Sequence, residues 1–393
     1  MGCGASARIG TLMAYESPSG GYGEEDDDMA SGITFLHDKD EATKFLSRFA
    51  FKKAIVDPGL SPGEMTRAME GDGGGEEYHS DTVVWLALDK STKPPRKVAV
   101  KVVRIRSRAF LRQFRKECKT MQKATKKQRR GGGPRLALAT FVAAARSSAN
   151  TLVASEYIGG GELFDLITSR KSLPDAWAAR IAGQLLSAFA MLHPLNVIHF
   201  DLKPENVLLA QDAGARDPAR DPAPDAVLID FGESGGPCEG GRPGGTTPTG
   251  TPGYAAPELQ LGKGGGKSVD VWGCGALVFT MLMGRPPVDP GASVVPLGGL
   301  SDNWLEEAYG AKAAGPPAEA TSAAEPVGGG GSSSAALMVA TAGPSGDDAP
   351  QWGKLSEGAR AFMQACMQPK VENRVSVADA LELPWIVGGG GTT

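Results

Sequence analysis

The chain has 393 residues, with 41 Lys and Arg against 45 Asp and Glu and a net charge of −4. That length allows one large domain with appendages, and the balanced charge excludes a chain-wide attraction to nucleic acid. Cys3, Cys118, Cys238, Cys274 and Cys366 show no paired spacing, so neither a zinc site nor a disulfide framework is indicated and a reducing compartment fits.

The N-terminus reads as an address. Met1-Gly2-Cys3-Gly4-Ala5-Ser6 fits the myristoylation pattern, with Gly2 as acceptor and Ser6 at the favoured position. One acyl chain binds a bilayer only marginally, and the next charge run, Glu24 to Asp28, is acidic. Cys3 is therefore the expected second anchor, by palmitoylation, which would put a cytoplasmic protein at the cytoplasmic face of a membrane. No apolar run approaches the roughly 18 residues of a membrane span, and no secretory signal opens the chain.

Residues 1–50 are expected to hold this anchor and a disordered acidic segment, although Glu41 to Ile55 has the pattern of a helix running into a strand. Gly71 to Gly75 is a flexible joint. Thr82 to Leu88 and Lys97 to Val103 read as a strand pair, followed by a helix from Ala109 to Lys127 with Phe110, Phe114, Cys118 and Met121 on one face. The same helix carries Arg112, Arg115, Lys116, Lys119, Lys123, Lys126 and Lys127. It lacks interleaved aromatics, so a solvated or docking face is expected rather than a nucleic-acid site. Leu136 to Ala145 and Thr151 to Glu156 continue as strands. Helices are expected at Leu173–Leu192, Asp270–Met283, Leu355–Met367 and Val377–Leu383, with a flexible tail at 388–393. Two stretches, Gln211 to Pro224 and Gly310 to Pro350, have the composition of solvated insertions, the first looping outward.

The most informative stretch is His199-Phe200-Asp201-Leu202-Lys203-Pro204-Glu205-Asn206. It places a carboxylate, an ammonium and an amide in one tight loop, the trio that phosphoryl transfer uses for a hydroxyl proton, phosphate charge and a magnesium ion. Asp230-Phe231-Gly232 and Ala256-Pro257-Glu258 follow it, and Val98-Ala99-Val100-Lys101 precedes it.

In this order, from about Val83 to Ile386, the chain resembles the eukaryotic protein kinases. Lys-Pro-Glu-Asn in the loop and Gly250 to Glu258 look like the serine/threonine type. Gly-Gly-Glu-Leu-Phe after Gly159 and the closing Leu383-Pro384-Trp385-Ile386 look most like the calcium/calmodulin-dependent group. The resemblance implies an α+β, two-lobed fold, with a β-rich N-terminal lobe at 51–158 and a helical lobe at 159–387 that carries a low-complexity insert at about 311–350. It implies ATP and Mg2+ as cofactors and protein substrates as partners, in a monomer. Asp201 would be the base and Lys203 would neutralise the γ-phosphate; Asn206 and Asp230 would ligate magnesium. Lys101, held by Glu117, would meet the α- and β-phosphates. Val84, Ala99 and Leu208 would line the adenine site, with backbone groups of Glu156 and Ile158 bonding the base. Ser155 falls at the gatekeeper position, small enough to admit bulky ATP-competitive inhibitors. Thr251 would approach Asp201 and Lys203, and Glu258 would pair with Arg374. Glu162 and Glu205 match positions that read an arginine in basic substrates.

Two departures stand out. Tyr78 to Thr82 lacks the glycines that a phosphate loop ahead of Val84 needs for close backbone approach. Phe200 stands where the family commonly has the arginine that clamps a phosphorylated activation segment, of which Thr247 is the best-placed residue beside Thr246 and Thr249. A membrane-anchored pseudokinase scaffold is the alternative these departures suggest. The chain carries no calcium-loop pattern and no regulatory tail after Ile386, so calcium control through it is not expected.

Overall fold

A computed structural model describes residues 45–56, 82–130, 137–146, 150–214, 216–239, 250–288, 301–309 and 348–390. Gly2, Cys3, the acidic run, Gly71–Gly75, Tyr78–Asp81, Thr246, Thr247, Thr249 and nearly all of the 311–350 insert lie outside the described residues. The chain divides into two compact units, Met1–Pro134 with Leu138–Ile158, and Arg135–Ala137 with Gly159–Thr393.

The first unit is an antiparallel sheet of β1 (Phe49–Val56), β2 (Thr82–Asp89), β3 (Arg96–Arg104), β4 (Phe141–Arg146) and β5 (Asn150–Glu156), in the order β1-β2-β3-β5-β4, with helix α1 (Arg108–Arg130) between β3 and β4. Alternation along β2 and β3 sorts the side chains into two layers. Val83, Trp85, Ala87, Val98, Val100 and Val102 are buried with Phe45, Phe49, Phe51, Leu152 and Ala154 in one core. Val84, Leu86, Ala99 and Lys101 fall on the other face, only half-buried. α1 buries Leu111, Phe114, Cys118, Met121 and Thr125, and Phe110 is half-buried instead of forming part of the buried face. The stripe advances by steps of three and four from Leu111, which leaves Phe110 at its edge. Order also begins ahead of residue 51: a helical turn at 45–48 leads into β1, and the Phe45 and Phe49 rings meet at 4.8 Å.

A buried carboxylate ties this turn to the sheet. Asp89 is 0% exposed. Arg48 donates to it through Nε at 2.9 Å and Nη2 at 2.8 Å, Ser91 through Oγ at 2.6 Å, and Arg96 through Nε at 3.3 Å. The Arg48 fork, with help from Ser91, holds the carboxyl well below the usual aspartate range despite its burial.

The second unit is helical: α2 (Leu163–Arg170), α3 (Asp175–Leu192), α4 (Pro257–Gln260), α5 (Ser268–Met283), α6 (Trp304–Tyr309), α7 (Asp348–Lys354), α8 (Glu357–Cys366), α9 (Val377–Glu382) and α10 (Pro384–Val387). Two short ladders accompany them, β6 (Val207–Leu209) with β7 (Ala226–Leu228) and β8 (Cys238–Glu239) with β9 (Gly264–Gly265). α5 is buried all round, as its apolar run requires, and α3 and α8 pack against it. Gly275 makes the second contact possible, because a Cβ there would lie 2.7 Å from Met367 and 2.8 Å from Cys366. No described helix is long and apolar enough to cross a membrane.

The insertion at 211–224 does not loop outward as its composition suggests. Arg170 Nη2 donates to the carbonyls of Ala213, Gly214 and Arg216, and Trp177 Nε1 donates to that of Asp221 at 3.0 Å. Asp225 anchors its far end through Arg180, Gln184 and Gln211, and Ala213 and Ala223 are buried. The segment lies on α2 and α3 because these side chains satisfy its backbone carbonyls, which composition alone cannot reveal.

The Asp89 cluster is open to test. Asp89→Asn should cost about 2 kcal/mol near neutral pH, since it weakens hydrogen bonds to a charged group. The folded carboxyl titrates below its unfolded value, so its contribution is full above about pH 3.9 and fades as pH falls. The substitution should therefore flatten the acid side of the stability curve. Denaturant unfolding of both proteins between about pH 3 and pH 7 reads this, and parallel curves would contradict it.

Candidate active site

The loop from His199 to Asn206 hangs from one buried carboxylate. Asp270, 1% exposed, sits in the first turn of α5. Its Oδ1 accepts the His199 N–H at 3.1 Å and the Phe200 N–H at 3.0 Å, while Oδ2 lies 2.8 Å from His193 Nε2 at the end of α3. Phe200 is left-handed, with φ of 69°, a conformation costly for a bulky side chain. Two amides bound to one carboxylate offset that cost and aim the following residue, Asp201.

Asp201, Lys203, Asn206 and Thr251 form one connected group. Thr251 donates its hydroxyl to Asp201 Oδ1 at 2.6 Å and its N–H at 3.1 Å. Lys203 Nζ donates to Thr251 Oγ1 at 2.8 Å and lies 3.0 Å from Asp201 Oδ2. Asn206 Nδ2 donates to the Asp201 carbonyl at 2.8 Å and to Oδ2 at 3.1 Å. Burial pushes the Asp201 carboxyl up, but the hydrogen bonds from Thr251 and Lys203 and the lysine charge outweigh it, so the group stays below its ordinary value. An ionised carboxylate with several donors is thus fixed at the head of the loop.

The β6–β7 hairpin brings Asp230 to the same place. Val207 pairs with Leu228, and Ile229 N donates to the Asn206 carbonyl at 2.9 Å, so Asp230 follows one residue on. Asp230 is also left-handed, with φ of 59°, and its Oδ1 accepts the Gly232 N–H at 3.0 Å. The His199 and Phe231 rings meet edge-on at 5.4 Å beneath. Leu208 alternates out of the core between the buried Val207 and Leu209. Asn206 spends its amide hydrogens on Asp201, leaving its carboxamide oxygen as a hard donor, and the backbone bond from Ile229 to Asn206 brings in Asp230 one residue on as a second. That pair suits magnesium. Among the described residues no group of three or more His, Cys, Asp or Glu could hold a metal, so such an ion would need phosphate and water oxygens as well.

Glu258 and Arg374 pair as the sequence suggests. Arg374 Nη1 and Nη2 reach the two Glu258 oxygens at 2.7 and 3.0 Å, its Nε donates to the Gln368 carbonyl, and its guanidinium stacks 5.1 Å from the Trp272 ring. Glu162 and Glu205 lie near each other; burial, then Asp165 and Glu205, raise the Glu162 carboxyl, and Glu205 Oε2 is buried without a hydrogen-bond partner.

In the N-terminal unit the ladder register sets the other candidates in rows. Val84 pairs with Lys101 and Lys101 with Val153; Leu86 pairs with Ala99 and Ala99 with Ser155. Paired residues share a face, so Val84, Ala99, Lys101 and Ser155 line one side of the sheet. Glu117 lies on α1. Glu156 N donates to the Thr140 carbonyl and its Oε2 accepts the Thr140 hydroxyl, fixing the strand end that leads to Ile158. β1 pairs with β2, so the segment that would act as a phosphate loop is the connection 57–81, which lies outside the described residues.

Sequence reading missed Asp270 and His193. The signal was present: Asp270 is the only charge in a sixteen-residue apolar helix, Ser268–Met283, and a lone carboxylate there must have partners. Asp270→Asn should destabilise the C-terminal unit by about 3 kcal/mol, because it breaks a buried charged network. Urea unfolding measures it, and a loss below about 1 kcal/mol would mean that the bend at Phe200 holds itself.

Residues 81–297 match the protein kinase domain. Calcium/calmodulin-dependent protein kinase type 1B of Homo sapiens is 41% identical over 248 residues, covering 62% of this chain and 56% of that protein. The Rattus norvegicus protein of the same name is 31% identical over 248 residues with the same coverage. Calcium/calmodulin-dependent protein kinase cmkB of Emericella nidulans is 32% identical over 237 residues, 60% of this chain and 47% of that one. The chain spans about half the length of the curated relatives it matches. A domain match over more than half of the chain, on a β-rich unit followed by a helical one, identifies it as a member of the protein kinase family, with that family's α+β two-lobed fold.

Proposed function

We propose that the chain is an ATP-dependent protein serine/threonine kinase. The observation that carries this reading is the Asp201–Lys203–Thr251–Asn206 group, held together within hydrogen-bond distance. Asp201 accepts the proton of a Ser or Thr hydroxyl as its oxygen bonds to the γ-phosphorus, and the bond from that phosphorus to ADP breaks. Lys203 holds charge on the moving phosphoryl group. Lys101, oriented by Glu117, holds the α- and β-phosphates, while Val84, Ala99 and Leu208 enclose adenine and the backbones of Glu156 and Ile158 bond it. Asn206 and Asp230 would hold magnesium, which when bound neutralises phosphate charge.

Glu162 and Glu205 are the substrate-reading pair, since clustered carboxylates, one with an unpartnered buried oxygen, favour a guanidinium. Gly2 and Cys3 carry the acyl anchors, so the enzyme works at the cytoplasmic face of a membrane as a monomer. The rival reading, an anchored pseudokinase scaffold, draws on the glycine-poor Tyr78–Thr82 stretch.

Radiolabelled ATP with a generic basic protein tests the choice. Turnover should fall about 100-fold or more in Asp201→Asn and in Lys101→Met; wild-type turnover no higher than theirs would establish the scaffold. The Phe200 ring is 5% exposed and packs toward Gly265, where a Cβ would lie 3.3 Å from its Cε1. A phosphate on Thr247 therefore lacks the arginine that clamps it elsewhere in the family, and Thr247→Ala should keep turnover within about twofold. A loss beyond about tenfold in a folded variant would contradict this.

A further inference from the structure

Helix α1 has two faces of opposite character. Leu111, Phe114, Cys118, Met121 and Thr125 are buried. At about 100° per residue, Arg112, Arg115, Lys116, Lys119, Lys123, Lys126, Lys127 and Arg130 all fall within a sector of about 120° on the other side. From Arg112 to Arg130 that sector holds nothing else. Arg112, Lys116, Lys123, Lys126, Lys127 and Arg130 are exposed, and the stripe runs for about 27 Å. The helix's one acid, Glu117, lies off the stripe, toward the buried side.

We propose that this stripe is a docking surface for an anionic lipid bilayer. The apolar face is committed to the protein core, so α1 cannot insert; it can only lay its charges along a surface. A straight row of cations spread over that length matches a plane of lipid phosphates and carboxylates. The sector contains no aromatic or amide side chain to stack on or read a base, which disfavours RNA or DNA. Gly2 and Cys3 supply the setting, and in that respect the proposal rests on the membrane-tether reading above. A single acyl chain is marginal alone, and a basic surface is one of the signals that make it stable. Each basic side chain near an anionic surface adds about fivefold in affinity. The acidic run Glu24–Asp28 lies between anchor and stripe in sequence and would oppose the same surface.

Vesicle sedimentation separates the stripe from the anchor. The Gly2→Ala full chain, which cannot be myristoylated, should bind vesicles of phosphatidylcholine with about 30% phosphatidylserine, ignore pure phosphatidylcholine, and dissociate in about 0.5 M salt. Lys123→Gln/Lys126→Gln/Lys127→Gln in that background should bind at least tenfold more weakly, with an unchanged melting temperature. Equal binding by both proteins, binding by neither, or tighter capture by polyglutamate or single-stranded RNA than by the vesicles would overturn the proposal. Wild type acylated at both Gly2 and Cys3, on neutral vesicles, tests the anchor alone: its failure to bind there would remove the tether and leave the stripe standing.

Discussion

One buried carboxylate governs the geometry of the catalytic loop. Asp270 enters an otherwise apolar helix, where an unpaired charge would be prohibitively costly. It is tolerated because the His199 and Phe200 amides and the His193 ring converge on it. The pairing works in both directions: the loop satisfies the charge, and the charge holds Phe200 in a left-handed turn that its side chain disfavours. Asp201 leaves that turn facing Thr251, Lys203 and Asn206. The polar group at the surface thus inherits its precision from a contact in the core.

Glu258 and Arg374 repeat this logic at the activation segment. The guanidinium is enclosed by two carboxylate oxygens, two backbone carbonyls and the Trp272 ring, so a buried cation has four of its five N–H groups bonded. Both arrangements end on α5, through Asp270 in its first turn and through the Ser268 carbonyl and Trp272. The helix most thoroughly buried in the C-terminal unit is therefore also the frame on which its chemistry is mounted.

In the N-terminal unit the same economy appears as layering. A period of two along β2 and β3 sends six apolar side chains into the core and leaves Val84, Ala99 and Lys101 on the opposite face. A slip of one residue would bury the lysine and expose the valines, so the apolar pattern itself enforces the register. α1 divides its residues by the longer helical period, with packing on one side and charge on the other.

The motifs, their order and the two periodicities were legible in the chain, because each is a local property. Asp201, Lys203, Asn206 and Asp230, like the Glu258–Arg374 pair, could be named once the order of the motifs carried the family resemblance. Asp270 and His193 could not be assigned roles that way, since they act through partners about seventy residues distant. The insertion at 211–224 was misread for the same reason: its composition is that of a solvated loop, yet Arg170 and Trp177 bind it down. Local sequence determined which groups the protein possesses and which face each would take. Tertiary structure alone decided which buried polar groups found partners, because that depends on which distant segments fold to within 3 Å of one another.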